Sequence, residues 1–307
     1  MLDDKVRMAA YRKAIFNTVK SGDLVADIGT GSGVLAFFAV QAGARKVYAI
    51  ESGPIIDVAK KTAAENDYTD RICFIQGISN EVDIPERVDV IITETIGCFG
   101  IDEGIMDIIH DARSRFLKTG GKIIPERLAL LAVPVSFKEK HPFNFLEGPF
   151  HGIQTGHLNR LAANNTYRIQ SADVEVLQLL SEPGPFIGIN LYTCGCLNYP
   201  LEMNVGFRIE KTGVFDGIVV FPEISLADSI EISLFKDGRS IPSHWELTFF
   251  PNAERISLKY DDTVNSKVIM TAQNGFIWEN HIRQNTQTNV FRHLSLFGAP
   301  SLDHLKK

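Results

Sequence analysis

The sequence predicts an α/β protein in which a parallel-sheet domain is followed by a mostly antiparallel β domain. In the first 125 residues, short apolar runs rich in β-branched residues alternate with helical stretches, as in a parallel sheet covered by helices. Beyond residue 125, strand-like runs are separated by turns, and only 173–180 has a helical period. We therefore expect a Rossmann-like domain at 1–125 and a β-barrel-like domain at 126–307.

The elements of the first domain alternate along most of the chain, with no helix predicted between the third and fourth strands. Strands are predicted at 24–28, 46–50, 72–75, 88–92 and 122–124. Helices are predicted at 34–41, 55–65 and 103–116. In the second domain, strands are predicted at 203–210, 217–221, 229–235, 245–250 and 267–272. Residues 143–168 are rich in Asn, Gly and His and form a long excursion from this sheet, which is typical of a functional or interacting segment.

Composition limits the classes of function. The 307 residues are 45% hydrophobic, enough for two cores. No apolar run is long enough to cross a bilayer, and the first residues lack the order of a secretory signal, so we expect a cytoplasmic protein without a membrane partner. A net charge of −6 argues against a nucleic-acid partner and would mildly attract a cationic substrate.

The cysteines predict no metal or redox site. None of the four forms a C-x-x-C pair, and we expect reduced, mostly buried thiols. Cys194 and Cys196 would share one face of a strand. Cys98 is distinct because it lies within an acidic loop.

A glycine-rich loop after the first strand predicts a nucleoside cofactor. Asp27 precedes Gly29, Gly31 and Gly33, which let the backbone turn tightly and approach a ligand at a helix N-terminus. The spacing G-x-G-x-G, rather than G-x-G-x-x-G, favours S-adenosyl-L-methionine over a dinucleotide. Glu51 ends the second strand, where a carboxylate can accept both ribose hydroxyl protons.

The third strand ends at the same edge of the sheet. Ser79 and Asn80 follow it and could bond the adenine edge. The alternative is an ordinary turn, and the residues themselves do not decide between the two.

Two glutamates, Glu94 and Glu103, bracket a glycine-containing loop directly after the fourth strand. Carboxylates brought together repel, so one takes up a proton unless a cation lies between them. A planar guanidinium offers donors that two carboxylates can hold from different sides. The alternative is a solvated acidic loop, and the cofactor signals upstream favour the guanidinium site.

Six ordered motifs together resemble the protein arginine methyltransferases, of which the chain is identified as a divergent, N-terminally short member. They are the runs 1–12, 27–33, 44–51, 94–103, 124–127 and 243–245. The resemblance implies a cofactor-binding domain, a β-barrel and a dimerisation arm at about 143–168. It also implies a homodimer and a cis bond before Pro125.

The resemblance assigns roles to single residues. Arg7 would pair with the cofactor carboxylate. Glu94 and Glu103 would hold the acceptor guanidinium. His244 would pair with Asp4 near the acceptor and help to carry away the proton.

Several positions depart from the family's pattern. Thr95, Ile96 and Cys98 stand where the family has Trp, Met and Tyr, so no aromatic wall stacks on the guanidinium. Asn80 replaces an acidic residue on the adenine side, and the family's N-terminal lid helix has no counterpart before Met1. Three hypotheses therefore stand: a methyltransferase of protein or peptide arginine, one of a small guanidine or amine, and a non-catalytic cofactor-binding scaffold.

Overall fold

The structure is a computed structural model that describes residues 2–138, 151–170, 177–236, 239–240, 243, 245–272 and 275–295. The chain divides into two compact units. The first comprises Met1–Leu128, Gly188–Leu197 and Glu223–Ser233. The second comprises Ala129–Ile187, Asn198–Pro222 and Leu234–Lys307.

The first unit is built on a five-stranded parallel sheet. Its strands are β1 (Leu24–Ile28), β2 (Lys46–Glu51), β3 (Ile72–Gln76), β4 (Val88–Thr93) and β5 (Leu117–Ile124). Its helices are α1 (Lys5–Thr18), α2 (Val34–Ala42), α3 (Ile56–Glu65) and α4 (Ile105–Arg115). The strand order is β3-β2-β1-β4-β5, and every neighbouring pair is parallel. The predicted Rossmann-like fold is confirmed.

The strand order positions the site. β1 is buried along its whole length, as expected of a strand covered on both faces. The order reverses between β1 and β4, where Ile28 lies opposite Thr93. The loops that leave these two strands therefore begin side by side, and ligands of open α/β sheets bind at such a reversal.

The second unit is mostly antiparallel, as predicted. Its described elements begin with β6 (Arg127–Phe137), α5 (Gly156–Ala163), β7 (Tyr167–Gln170), β8 (Leu177–Leu179), β9 (Gly184–Asn190), β10 (Leu201–Arg208) and β11 (Gly213–Ala227). They continue with β12 (Ile230–Ser233), β13 (Phe235–Lys236), β14 (Arg239–Ser240), β15 (Glu246–Leu258), β16 (Thr263–Met270), β17 (Phe276–Gln284) and β18 (Gln287–Leu294). The ends of β6, β9 and β11, and all of β12, belong to the first unit.

Aromatic side chains form the core of the second unit. β10, β16, β17 and β18 make one antiparallel sheet, and β7, β15 and β11 belong to another. Phe250 meets Trp278 edge to face at 5.4 Å between ring centroids. Trp278 is 1% exposed, and its Nε1 donates to the carbonyl of Pro251 at 2.8 Å, so the buried indole N–H is satisfied.

Two local predictions are wrong. Residues 177–179 of the predicted helix 173–180 form a strand, and 171–176 lie outside the described residues. Cys194 and Cys196 lie in an irregular segment after β9, and Cys196 is exposed. Arg113 donates to the carbonyl of Cys194 at 2.6 Å, so a side chain takes the place of a strand partner.

Two further findings concern the chain as a whole. The cis bond expected before Pro125 is present. Among the described residues, no helix combines the length and the apolar character that crossing a membrane requires.

Candidate active site

The first helix brings a cation to the sheet edge. Asp4 caps α1 by accepting the Arg7 backbone N–H at 2.9 Å, which satisfies one of the free donors of the first turn. The same carboxyl lies 3.3 Å from Nε of Arg7. The Asp4 and Arg7 side chains are only 1% and 7% exposed, so the helix start fixes the guanidinium in a buried position.

The guanidinium of Arg7 contacts the first of the two predicted acidic residues. Its Nη1 donates to Oε1 of Glu94 at 3.3 Å, and the Glu94 side chain is 10% exposed. Arg7 therefore lies between Asp4 and Glu94. A buried cation held by two carboxylates needs both of them, because removing either leaves a poorly compensated charge.

The pKa of Glu94 lies near neutral pH. Burial raises its pKa from 4.5 to about 7, attraction to Arg7 opposes the rise, and repulsion by Glu103 adds to it. Glu103 is itself exposed and lies two residues before the start of α4. The two carboxylates therefore interact electrostatically across their loop, one in a buried and one in a solvated environment.

Two side chains fix the backbone from which Glu94 projects. Tyr11 of α1 is fully buried and donates its hydroxyl to the carbonyl of Thr93 at 3.1 Å. The hydroxyl of Thr93 donates to the carbonyl of Ile28 at 2.8 Å. These bonds join α1, β4 and β1 directly beneath the site.

The loop from Glu94 to Glu103 has an internal clasp. Oδ1 of Asp102 accepts the Phe99 backbone N–H at 3.0 Å. A Cβ at Gly97 would overlap the Asp102 carboxyl, so only glycine permits this close approach. The clasp shapes the loop that separates the two glutamates.

The three positions that lack the family's side chains have different environments. Ile96 is 3% exposed, whereas Thr95 and Cys98 are half-buried. The Thr95 hydroxyl lies 3.1 Å from that of Thr93. Its methyl group lies against Gly29, where a Cβ would come within 2.9 Å of Cγ2. The acidic loop, residues 94–103, and the glycine loop, residues 29–33, are thus in contact.

The glycine loop is supported by Asp27. Its Oδ2 accepts from the hydroxyl of Thr30 at 2.5 Å and from the N–H of Ala36 at 3.0 Å. Burial raises the pKa of Asp27 from 3.8 to about 7. Its second oxygen, Oδ1, is buried without a hydrogen-bond partner. An unsatisfied buried acceptor is rare and points to an absent donor.

The glycines of this loop have left-handed backbones. The φ angles of Gly29, Gly31 and Gly33 are 71°, 54° and 86°. Such angles strain residues with a Cβ. Gly29 is exposed beside the acidic loop, so a ligand could reach its backbone.

Glu51, at the end of β2, faces the same loop. Its Oε2 accepts from the N–H of Gly31 at 3.0 Å, and its Oε1 accepts from the N–H of Gly53 at 2.7 Å. Each carboxylate oxygen can accept more than one bond. Glu51 is therefore able to receive two hydroxyl groups while it holds the loop.

The predicted adenine segment follows β3. Ser79 is 8% exposed and Asn80 is exposed. The carbonyl of Ser79 accepts from Arg115 of α4. The backbone of this segment is thus tied to the helix that follows the acidic loop.

The first unit contains most of the predicted site residues at one edge of its sheet. Ion pairs join Asp4, Arg7 and Glu94, and a hydrogen bond joins Glu51 to Gly31. His244 lies outside the described residues, and its role stays a prediction. Within the described ranges, no group of three or more His, Cys, Asp or Glu side chains could hold a metal ion.

Three supporting residues were not predicted: Tyr11, Asp102 and Arg115. Tyr11 lies four residues after Arg7, a spacing that places both on one helix face and could have indicated a shared role. Asp102 adjoins Glu103, yet its neighbours gave no sign that it binds backbone. Arg115 resembles any arginine near a helix C-terminus.

Several known proteins are similar to this chain in sequence. The family model described as Ribosomal protein L11 methyltransferase (PrmA) matches residues 12–125. Histone-arginine methyltransferase CARMER of Anopheles gambiae is 29% identical over 282 residues, which cover 89% of this chain and 45% of that protein. Protein arginine N-methyltransferase PRMT10 of Oryza sativa subsp. japonica is 43% identical over 137 residues, which cover 44% of this chain and 36% of that protein. The matched part of the chain thus spans less than half the length of either relative.

Solved structures share the fold. A chain of the Trypanosoma brucei PRMT1 enzyme-prozyme heterotetrameric complex with AdoHcy superposes with a TM-score of 0.85 at 20% identity, covering 96% of both chains. Arabidopsis thaliana protein arginine methyltransferase 10, solved in a uniquely open conformation, superposes with a TM-score of 0.79 at 22% identity, covering 96% of this chain and 95% of that one. At these identities the likeness is one of fold.

The glycine loop follows the first strand of a parallel sheet with a Rossmann-like strand order, and a methyltransferase family model matches residues 12–125 of this domain. The relatives and the neighbours in structure given above are protein arginine methyltransferases. The resemblance predicted from the sequence is confirmed.

Proposed function

We propose that the chain is an S-adenosyl-L-methionine-dependent N-methyltransferase of the arginine methyltransferase type. The observation that carries the proposal is the contact between Glu94 and a guanidinium, that of Arg7, at 3.3 Å. Glu94 is buried, follows β4 and adjoins the glycine loop through Thr95. The site therefore already accommodates a guanidinium beside the place where a nucleoside cofactor fits.

The residues of the glycine loop fit the cofactor. The unpartnered Oδ1 of Asp27 suits a donor such as an ammonium group. Glu51 would receive the ribose hydroxyls, Ser79 and Asn80 would bind the base, and Arg7 would pair with the cofactor carboxylate. Gly29, Gly31 and Gly33 would leave room for the methionine portion. S-adenosyl-L-homocysteine (AdoHcy), the form of this cofactor without the transferred methyl group, is named in the trypanosome complex.

The chain's own residues would supply orientation and electrostatics. When bound, the cofactor supplies an electrophilic methyl group on a sulfonium. A guanidinium is a poor nucleophile because its lone pairs are delocalised, so Glu94 and Glu103 would concentrate density on one nitrogen and aim it. His244, with Asp4, would accept the proton that the methylated nitrogen releases.

The acceptor has two candidates. An arginine in a protein or peptide is the first, since the named relatives are arginine methyltransferases. A small guanidine or amine is the second, favoured by Thr95, Ile96 and Cys98, which offer no aromatic surface. A non-catalytic scaffold is disfavoured because a site that binds no further cation has no need for two carboxylates, Glu94 and Glu103, that repel each other.

A cytoplasmic homodimer is the proposed state. The segment predicted to be the arm exposes large apolar side chains: Ile153 is 65% exposed and Leu158 is 55% exposed. Neighbouring apolar side chains left in solvent are typical of an interaction surface. Leu158→Asp should convert the dimer to monomer in sedimentation velocity. Val290→Asp, at a residue 48% exposed on β18, is the matched control and should leave the dimer intact.

Glu103→Gln tests the acceptor assignment because it keeps the shape of the side chain and removes its charge. Transfer to an arginine-rich peptide should fall at least about hundredfold while AdoHcy binding is unchanged. Glu65→Gln, at an exposed position at the end of α3, is the control for loss of one charge. Transfer near the wild-type rate in Glu103→Gln would refute the two-carboxylate site.

The physiological acceptor can be sought directly. Purified protein with methyl-labelled cofactor is added to native lysate, and labelled products are separated into protein and small-molecule fractions. Label on arginine in protein supports the first candidate. Label only in small guanidines or amines supports the second, and AdoHcy binding without any labelled product supports the scaffold.

A further inference from the structure

Arg115, the last residue of α4, binds the segment that follows β3. We propose that Arg115 is the positioning residue that holds residues 79–83 in the shape that recognises the adenine of the cofactor. This inference depends on the proposed function, because it assumes that a nucleoside binds beside Ser79. It concerns a residue that would act through backbone and not by touching the cofactor.

The guanidinium makes three bonds to the segment. Nη2 donates to the carbonyl of Ser79, and Nη1 donates to the carbonyl of Val82 at 2.7 Å and to Oδ1 of Asp83 at 3.1 Å. Three acceptors within five residues fix the curvature of the backbone. Ser79, 8% exposed, is the first residue of the segment held in this way.

The guanidinium itself is fixed on its helix. Nε of Arg115 donates to Oδ1 of Asp111 at 2.9 Å, and Nη2 donates to Oδ2 at 2.6 Å. This fork-to-carboxylate pairing is specific to arginine, since lysine presents a single point of charge. The Asp83 carboxylate is 94% exposed, so its ion pair adds little, and the carbonyl bonds matter more.

The segment is also tied to the ribose side. The N–H of Gly77 donates to the carbonyl of Glu51 at 2.9 Å. Gly77 has a φ of 158°, and a Cβ there would overlap Val82, so the chain folds back on itself. The Glu51 backbone holds one end of the segment and Arg115 holds the other. The predicted ribose and base contacts therefore share one rigid element.

Base discrimination separates positioning from general stability. AdoHcy is compared with S-inosylhomocysteine, in which an oxo group replaces the adenine amino group and N1 becomes a donor. Calorimetry on the full chain gives both dissociation constants. A site that hydrogen-bonds the adenine edge should favour AdoHcy, by about tenfold or more.

Arg115→Lys should weaken AdoHcy binding by about tenfold and leave the inosine analogue nearly unchanged, so the ratio approaches one. The rate at saturating cofactor should stay near wild type. Arg113→Lys is the matched control: Arg113 lies on the same helix and also donates to carbonyls, those of Leu191 and Cys194. It should leave the ratio unaltered.

A wild-type ratio retained in Arg115→Lys, or equal weakening of both ligands, would overturn the inference. If Arg115→Lys does not fold, Asp111→Asn replaces it, and faster amide exchange at 79–83 with a lower ratio is expected. Unaltered exchange and ratio in that variant would equally overturn it. Binding of AdoHcy by wild type without base preference overturns the inference alone, whereas absence of binding overturns the proposed function with it.

Discussion

Nη1 of Arg7 lies 3.3 Å from Oε1 of Glu94, and the two side chains are 7% and 10% exposed. Arg7 was assigned to the cofactor and Glu94 to the acceptor. Their contact means that the charge at one end of the site is felt at the other. Whatever binds Arg7 changes the electrostatic environment of the carboxylate proposed to hold the acceptor.

Glu94→Gln should alter the pH dependence of stability. The pKa of Glu94 is raised from 4.5 to about 7, so its contribution to stability is present in full below pH 4.5 and is lost as pH rises through 7. Relative to wild type, the variant should therefore gain up to about 3 kcal/mol between pH 4 and pH 8. Urea denaturation of both proteins at the two pH values measures this. If the difference in free energy of unfolding between the two proteins is the same at both pH values, the pKa of Glu94 is not raised.

Binding of the cofactor should release a proton from Asp27. Burial raises the pKa of this carboxyl to about 7, and a cationic ammonium near Oδ1 would favour the ionised form. AdoHcy affinity should therefore rise with pH up to about 7 and then level. Calorimetry near pH 6, in buffers of different ionisation enthalpy, counts the protons. Asp27→Asn should abolish the release that Asp27 contributes, whereas proton uptake by wild type would contradict the assignment.

Gly29→Ala should weaken the glycine loop through a clash with Thr95. The new Cβ would lie 2.9 Å from Cγ2 of Thr95 at a backbone φ of 71°. Gly22→Ala has a φ of 93° with open space and isolates the backbone strain, about 1 kcal/mol. Gly29→Ala should lower the free energy of unfolding by more than this control does, and it should also weaken AdoHcy binding. Adding Thr95→Ser removes the clashing methyl group and should restore part of the stability and part of the AdoHcy affinity. If neither is restored, the clash with Thr95 is not the cause of the losses.

Asp102→Ala should loosen the loop between the two glutamates. It removes the acceptor of the Phe99 N–H and leaves a cavity beside Gly97. We expect the rate at saturation to fall by about tenfold, with little change in the cofactor dissociation constant. Asp102→Asn keeps an oxygen acceptor and should remain near wild type. Equal losses in both variants would show that the charge of Asp102, and not the clasp, matters.

Patterns of local sequence were sufficient for the parallel sheet. Its central strand β1 is apolar along most of its length because both faces are covered, and glycines mark the turn after β1. The second unit was predicted more coarsely. Strand β11 runs over 15 residues although only 217–221 was predicted, because the polar residues within it interrupt the apolar pattern while Asp216 is buried against Arg255.

The site was predicted as a set of residues but not as a set of contacts. The order of motifs indicated that Glu94 and the glycine loop share a sheet edge. Nothing in the sequence indicated that Asp4 would bind Arg7 through both its backbone N–H and its side chain, or that Arg115 would bind carbonyls. Such bonds depend on tertiary position, and side-chain identity alone does not specify it.

The central claim is that Glu94 holds the guanidinium that receives the methyl group. Its most direct test is mass spectrometry of an arginine-rich peptide, and of the same peptide with lysine at every arginine, after incubation with S-adenosylmethionine and wild type or Glu94→Gln. We predict methylarginine with wild type, no product on the lysine peptide, and at least about hundredfold less product with Glu94→Gln although AdoHcy still binds. Methyl transfer by Glu94→Gln at the wild-type rate, or transfer to the lysine peptide instead, would contradict the account.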